Sequence, residues 1–200
     1  MKIAHLVMLA CVAGSVSCVK ERPIHYYTLN PPAMPQVPAK PDGLVLLVGQ
    51  ITTPEALQDG RIRYRSGANE VGAYEYHRWS ERPAKMVHDL LIQTLRASGK
   101  YRQVQEASSA AGGDYLVRGR LSEFAEIDEP GIRSRVSLRL ELVDRKTGLV
   151  VWDHVYNRDE PVPGKAMGDV VASLERNLHQ VIAAAASGIE AATVSRPAGH

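Results

Sequence analysis

The sequence predicts an α+β fold: a single, mostly antiparallel sheet with two main helices packed on one face. Three observations predict it. Apolar and polar residues alternate in several segments joined by short polar turns, the pattern of half-buried antiparallel strands. Two other segments repeat their apolar residues every third or fourth position, the pattern of amphipathic helices. The helical segments are also set apart from the runs of strands, which argues against the regular βαβ order of a parallel sheet.

The elements follow in order from Gly43. Residues 44–54 (LVLLVGQITTP) form a near-continuous apolar run suited to a central strand, closed by Pro54. In RIRYRS, residues 61–66, Ile62 and Tyr64 alternate with Arg61, Arg63 and Arg65. A turn at 66–69 (SGAN) leads to a returning strand at 71–79 (VGAYEYHRW), and the pair reads as a hairpin. From Pro83 the period changes. Val87, Leu90, Leu91, Thr94, Leu95 and Ser98 share one helical face, and Gly99 suits the stop. A short strand (YRQV, 101–104) and a loop (SSAAGGD, 108–114) follow. Three strands come next: 115–127, then 135–144 with Val136, Leu138, Leu140 and Leu142 inward, then 149–157. DEPG and RKTG are their turns. The last element is a long helix over 166–190, striped by Val170, Val171, Leu174, Leu178, Val181, Ile182, Ala185 and Ile189.

Upstream, Met1-Lys2 and the apolar run Ile3–Gly14 read as a secretory signal, because the run falls short of the roughly 20 apolar residues that span a bilayer. Small residues Ser15-Val16-Ser17 precede Cys18. Three uses of that cysteine stand open: a reactive thiol, a buried apolar residue, or a point of covalent attachment. The order of segments resembles a bacterial lipobox, which makes acylation of Cys18 the leading reading, with Ser15 departing from the usual Leu. Cys11 is a rival that leaves too short an apolar run. HYYTL at 25–29 suits a short strand, and residues 30–42, which follow it, carry five prolines and read as a semi-rigid spacer. The chain therefore divides into a signal peptide at 1–17, a lipidated N-terminus with a proline-rich linker at 18–42, a domain at 43–192 and a flexible tail at 193–200.

Composition narrows the function. Cys11 lies inside the signal, so Cys18 has no disulfide partner and the fold must stand on its core. A net charge of +2 with no basic block gives no reason to expect nucleic acid. The seven histidines show no metal-ligand spacing, and HExxH, CxxC and GxSxG are all absent. No catalytic set, cofactor site or metal site is expected. Glu75 and His77, two apart on a strand, are the sharpest acid–base candidate, outweighed by a structural role. Asp153 and His154 fall on opposite faces by alternation. The face taken as a partner-binding surface is the hairpin, with Arg61, Arg63 and Arg65 on one strand and Tyr74, Tyr76 and Arg78 on the other. Trp79 and Trp152 read as core. The alanine-rich stretch 181–192 suits either close packing with another helix or subunit, or the end of a helix lying on the sheet.

YYTL at 26–29, LVLLVGQITTPEAL at 44–57, IRYRSGANEVGAYEYHRWSERP at 62–83 and DYLVRGRLSEF at 114–124 resemble the ABC-type transport auxiliary lipoproteins. The resemblance extends in order through the terminal helix. It implies a non-enzymatic accessory or docking subunit of an intermembrane lipid-transport system. The implied partner is a protein with mammalian-cell-entry domains, working with an inner-membrane permease and an ATPase. It also implies an outer-membrane anchor at Cys18, facing the periplasm, and Val19 is compatible with that sorting. A second copy of the chain is a further candidate partner. Two other readings stay in view: a stand-alone lipid-binding or hydrolytic lipoprotein using Glu75 and His77, and an assembly factor of another envelope secretion system.

Overall fold

Alternation along Tyr115–Leu121, resumed in the opposite phase from Phe124 after a bulge between Leu121 and Glu123, produces the longest described strand, Tyr115–Ile127, and the hub of the sheet. In the computed structural model, residues 22–33, 37–40, 42–108, 112–128 and 130–194 are described. Cys18, the signal segment and residues 195–200 lie outside them. The elements run β1 (His25–Tyr27), β2 (Val45–Thr52), β3 (Arg61–Ser66), β4 (Glu70–Trp79), α1 (Pro83–Ala97), β5 (Gln103–Glu106), β6 (Tyr115–Ile127), β7 (Arg133–Asp144), β8 (Val150–Pro161) and α2 (Met167–Val194).

β7 pairs antiparallel with the whole of one edge of β6, and β8 pairs antiparallel with β7. The other edge of β6 is shared. β2 runs parallel to its first half and β3 parallel to its last residues. β5 extends the β2 branch, also in parallel. On the other branch β4 pairs antiparallel with β3, and β1 pairs parallel with the end of β4. The long ladders are antiparallel, so the sheet is mostly antiparallel, with four shorter parallel pairings added. The fold is α+β.

Both helices lie on one face of this sheet, α1 over β2 and β5 and α2 over β7 and β8, and they touch each other. The core fills the layer between. Leu46, Val48, Val117, Leu121, Phe124, Leu138, Leu140 and Leu142 meet Val87, Leu91, Leu95, Leu174, Leu178 and Ile189. Pro83 opens α1 at its first turn, where a missing N–H costs nothing. Gly99 closes it at φ +65°, and a side chain there would strike Val37 and the Pro38 carbonyl. In α2 the alanine-rich stretch is the end of a helix lying on the sheet. Gly188 lets the Trp152 ring approach to a distance at which an added Cβ would stand 2.8 Å from Cζ2.

Two boundaries of the sequence reading move. The stretch 18–42, divided off from the domain, is in part folded onto it, and the short strand suggested by HYYTL is present. β1 registers His25, Tyr26 and Tyr27 against His77, Arg78 and Trp79, and Leu29 packs on the core. Asn30 then donates its backbone N–H to Glu175 at 2.7 Å, and its carbonyl meets His179 Nε2 at 2.9 Å. Tyr27 at the end of the strand and Leu29 just after it pack against the core and bring this stretch down. At the other end α2 continues to Val194, with Thr193 buried, so the tail does not begin at 193. The helix persists there because Thr193 falls four residues after Ile189 on the buried stripe.

Candidate functional site

The face of the sheet without helices is built by the residues that alternate with the core. Along β7 these are Arg133, Arg135, Ser137, Arg139 and Glu141, and each stands across from a β8 residue. Arg135 donates from Nε and Nη2 to Asp159 at 2.7 Å each, and Arg139 donates likewise to Asp153 at 2.8 Å each. Arg118 of β6 reaches Glu141 at 2.7 Å, and Arg65 of β3 reaches Glu123 at 2.7 Å. The bidentate hydrogen bonds from Arg135 hold Asp159 below the ordinary carboxylate range, against the opposing effect of burial. Asp153, which lies on this face, and His154 do point to opposite sides. His154 lies instead among Trp152 and Tyr156, its ring 4.4 Å from the tyrosine.

The hairpin face proposed from the sequence is not one surface. Arg61, Arg63 and Arg65 do alternate together along β3, and Arg61 stands in register with Arg78. But the register jumps between Arg63↔Ala73 and Arg61↔Arg78, leaving extra residues on β4. This bulge reverses the alternation. Tyr74 therefore falls on the side of Tyr64, 5.1 Å between rings, and of His77, 5.8 Å away. Tyr76 sits under the Arg22 guanidinium at 5.7 Å. The three β3 arginines are also not a free basic strip. Arg61 and Arg63 both reach Asp59, at 2.6 and 2.8 Å, and Arg65 is taken by Glu123. Of the four arginines, Arg78 alone has no carboxylate partner among the described residues, and its Nε is buried without a hydrogen-bond partner.

The Glu75–His77 pair is not assembled. Glu75 is exposed, and among the described residues no hydrogen bond joins it to His77. His77 Nδ1 meets the Tyr27 hydroxyl at 2.9 Å, and its ring stacks on His25 at 5.4 Å. Burial and then the His25 charge push His77 below its usual value. Beside it, Tyr74 donates to Glu126 at 2.9 Å. Burial and that carboxylate push the Tyr74 phenol far up, and burial with nearby Asp128 raises Glu126 despite the hydrogen bond. This is a packed polar cluster holding β1 to β4. Trp79 is core, 3% exposed and 5.2 Å from the Phe124 ring.

A cleft of about 650 Å³ opens elsewhere, where the first turns of α1 pass the ends of β2 and β5. Glu81, Lys85, His88, Asp89 and Glu106 line it. Lys85 Nζ bonds Asp89 Oδ2 at 2.6 Å and Glu81 at 3.3 Å. Burial works to raise Asp89, but bonds from Lys85 and His88 overcome it and hold the carboxyl low. The sequence reading passed over this set because Glu106 joins it from a different strand. The adjacent His88-Asp89 pair on a helix was the available signal.

No curated protein sequence matches the chain. Among solved structures, a Xanthomonas campestris protein of the DUF330 family is similar, with 20% identity and a TM-score of 0.73, covering 86% of this chain and 99% of its own. A second, uncharacterized protein matches at 17% identity and a TM-score of 0.67, covering 84% and 99%. At these identities the likeness is one of fold. Among the described residues no helix is long and apolar enough to cross a membrane. The model of the ABC-type transport auxiliary lipoprotein component matches residues 27–186, from β1 through most of α2, and the chain belongs to that family.

Proposed function

We propose that the protein is a lipoprotein of the outer membrane, facing the periplasm, and a docking subunit of an intermembrane lipid-transport system. Its partner in this reading is a protein with mammalian-cell-entry domains tied to an inner-membrane permease and ATPase. Family membership over residues 27–186 is the observation that carries the reading. A transport auxiliary component is not an enzymatic role, and the separation of Glu75 from His77 agrees with that.

The anchor geometry supports a short stand-off. β1 begins at His25, so the chain from Cys18 to the sheet reaches at most about 25 Å. An acyl group on Cys18 therefore holds the β1–β4–β3 branch close to the membrane. Mass spectrometry of the mature N-terminus should find an acylated Cys18, and Cys18→Ala should release the protein to the soluble fraction.

The docking surface in this reading is the outward side of the β3–β4 hairpin, where Arg78 has no carboxylate partner among the described residues and Val71 is 55% exposed. Purified protein in nanodiscs should co-elute with the mammalian-cell-entry partner, and Val71→Glu with Arg78→Glu should abolish co-elution. Failure of the unaltered protein to associate sinks the proposal. A second copy is accommodated at β8, which among the described residues pairs only with β7 along its 12 residues. Light scattering of the detergent-purified chain reads that directly.

A further inference from the structure

The cleft at the start of α1 holds donors that docking does not use. His88, Asp89 and Glu106 each place one donor atom within 4.8 Å of the others. His88 is 9% exposed, so packing fixes the direction of its imidazole. The two oxygens of Asp89 are divided between tasks. Oδ2 accepts from Lys85 at 2.6 Å, and Oδ1 faces His88 Nδ1 at 3.3 Å.

That last distance is long for a charge-assisted hydrogen bond, which closes to roughly 2.7–2.9 Å. As a hydrogen bond it is therefore a loose one, and the same separation matches two neighbouring ligands on a tetrahedral ion, whose metal–ligand lengths of about 2.0–2.1 Å set donors about 3.3 Å apart. Lys85 then does what an outer partner does in a metal site, fixing the carboxylate through the oxygen that does not bind. Glu106 is exposed at the end of β5 and free to close the remaining gap by changing rotamer. All three residues line the cleft, from which a water could supply a fourth ligand.

We propose that His88, Asp89 and Glu106 bind a divalent cation of the zinc type. The imidazole with two carboxylates suits zinc and its neighbours, whereas magnesium and calcium take oxygen donors.

The test uses the untagged full chain in detergent, stripped with chelator and titrated with Zn²⁺ by calorimetry. Co²⁺ is titrated in parallel for its visible absorption. One Zn²⁺ per chain is expected, with an intense Co²⁺ band of low coordination number. His88→Ala should abolish both signals. Glu106→Gln, at an exposed position that folding does not depend on, should weaken Zn²⁺ binding by roughly tenfold or more without changing the metal-free melting temperature. His179→Ala, on α2, should bind as the unaltered chain does. No stoichiometric binding by the unaltered chain overturns the site, as does binding that survives Glu106→Gln unchanged.

Discussion

The two faces of the β6–β7–β8 layer are made by alternate residues of the same strands, yet they obey different physics. On the helix side Leu138, Leu140 and Leu142 are fully buried. On the other side their neighbours Arg139 and Glu141 join a lattice of arginine–carboxylate pairs in contact with solvent, and Ser137 donates to Asn157. Apolar burial contributes about 25 cal/mol per Å², whereas an exposed ion pair is typically worth under about 1 kcal/mol. The inner face therefore determines whether the chain folds. The outer lattice contributes little to folding on this scale.

The sharpest way to break the contrast is to truncate adjacent residues of β7. Leu140→Ala removes a side chain with no solvent exposure from between β6 and α2. It should cost about 2–5 kcal/mol in urea unfolding. Arg139→Ala, one residue away, should leave the urea midpoint close to that of the unaltered chain. Equal losses at both positions would mean that the outer lattice also holds the fold.

Next in size is the polar patch that seats α2 on the inner face. Asn177 is fully buried and donates to the Ser134 carbonyl at 3.1 Å and the Arg158 carbonyl at 2.9 Å. It ties α2 to β7 and β8, and Ser173 Oγ meets Ser134 Oγ beside it at 2.9 Å. Asn177→Ala should cost about 1–3 kcal/mol, because it strips buried groups of their donor. A near-neutral result would show that the helix is seated by its apolar stripe alone.

The apolar stripe of α2 was legible in the sequence, since Leu174, Leu178, Val181 and Ile182 repeat at the helical period. Ser173 and Asn177 occupy that same stripe but were hidden, because period counting scores only apolar residues. The three long strands were legible for the same reason, and β7 and β8 needed only extension at their ends. Strand direction was not. Alternation reads the same in parallel and antiparallel ladders, so the parallel pairings of β6 with β2 and β3 left no mark. The bulge in β4 was equally silent, and it divided the proposed hairpin face by moving Tyr74 to the side of His77. The partners that neutralise the β3 arginines depend on folding too. Asp59 comes from the preceding loop and Glu123 from β6, 58 residues after Arg65.

A smaller effect is expected from the outer lattice itself. The bidentate bonds from Arg135 hold Asp159 below the ordinary value of 3.8, so the pair's contribution is present above that value. It is lost as pH falls through the depressed folded value. A double-mutant cycle of Arg135→Met and Asp159→Asn should give about 0.2–1 kcal/mol at neutral pH, shrinking in acid and at high salt. Coupling that is insensitive to both would place the pair energetically with the inner face.

The smallest effect tests the contrast by its sign. Glu126 points to the helix side and is 5% exposed. Burial, with Asp128 adding to it, raises its carboxyl above the ordinary 4.5, against the hydrogen bond from Tyr74. The folded chain therefore keeps this proton to higher pH than the unfolded chain does. Its favourable contribution is complete below the unfolded value and is lost as pH rises through the folded one. Glu126→Gln keeps an oxygen to accept from Tyr74 and removes the charge. It should raise the urea midpoint slightly at neutral pH, with the gain vanishing below the ordinary carboxylate range. Asp159→Asn should do the reverse, destabilising at neutral pH and ceasing to matter in acid. If Glu126→Gln instead destabilises at every pH, the carboxylate is satisfied where it sits, and the two faces treat charge alike.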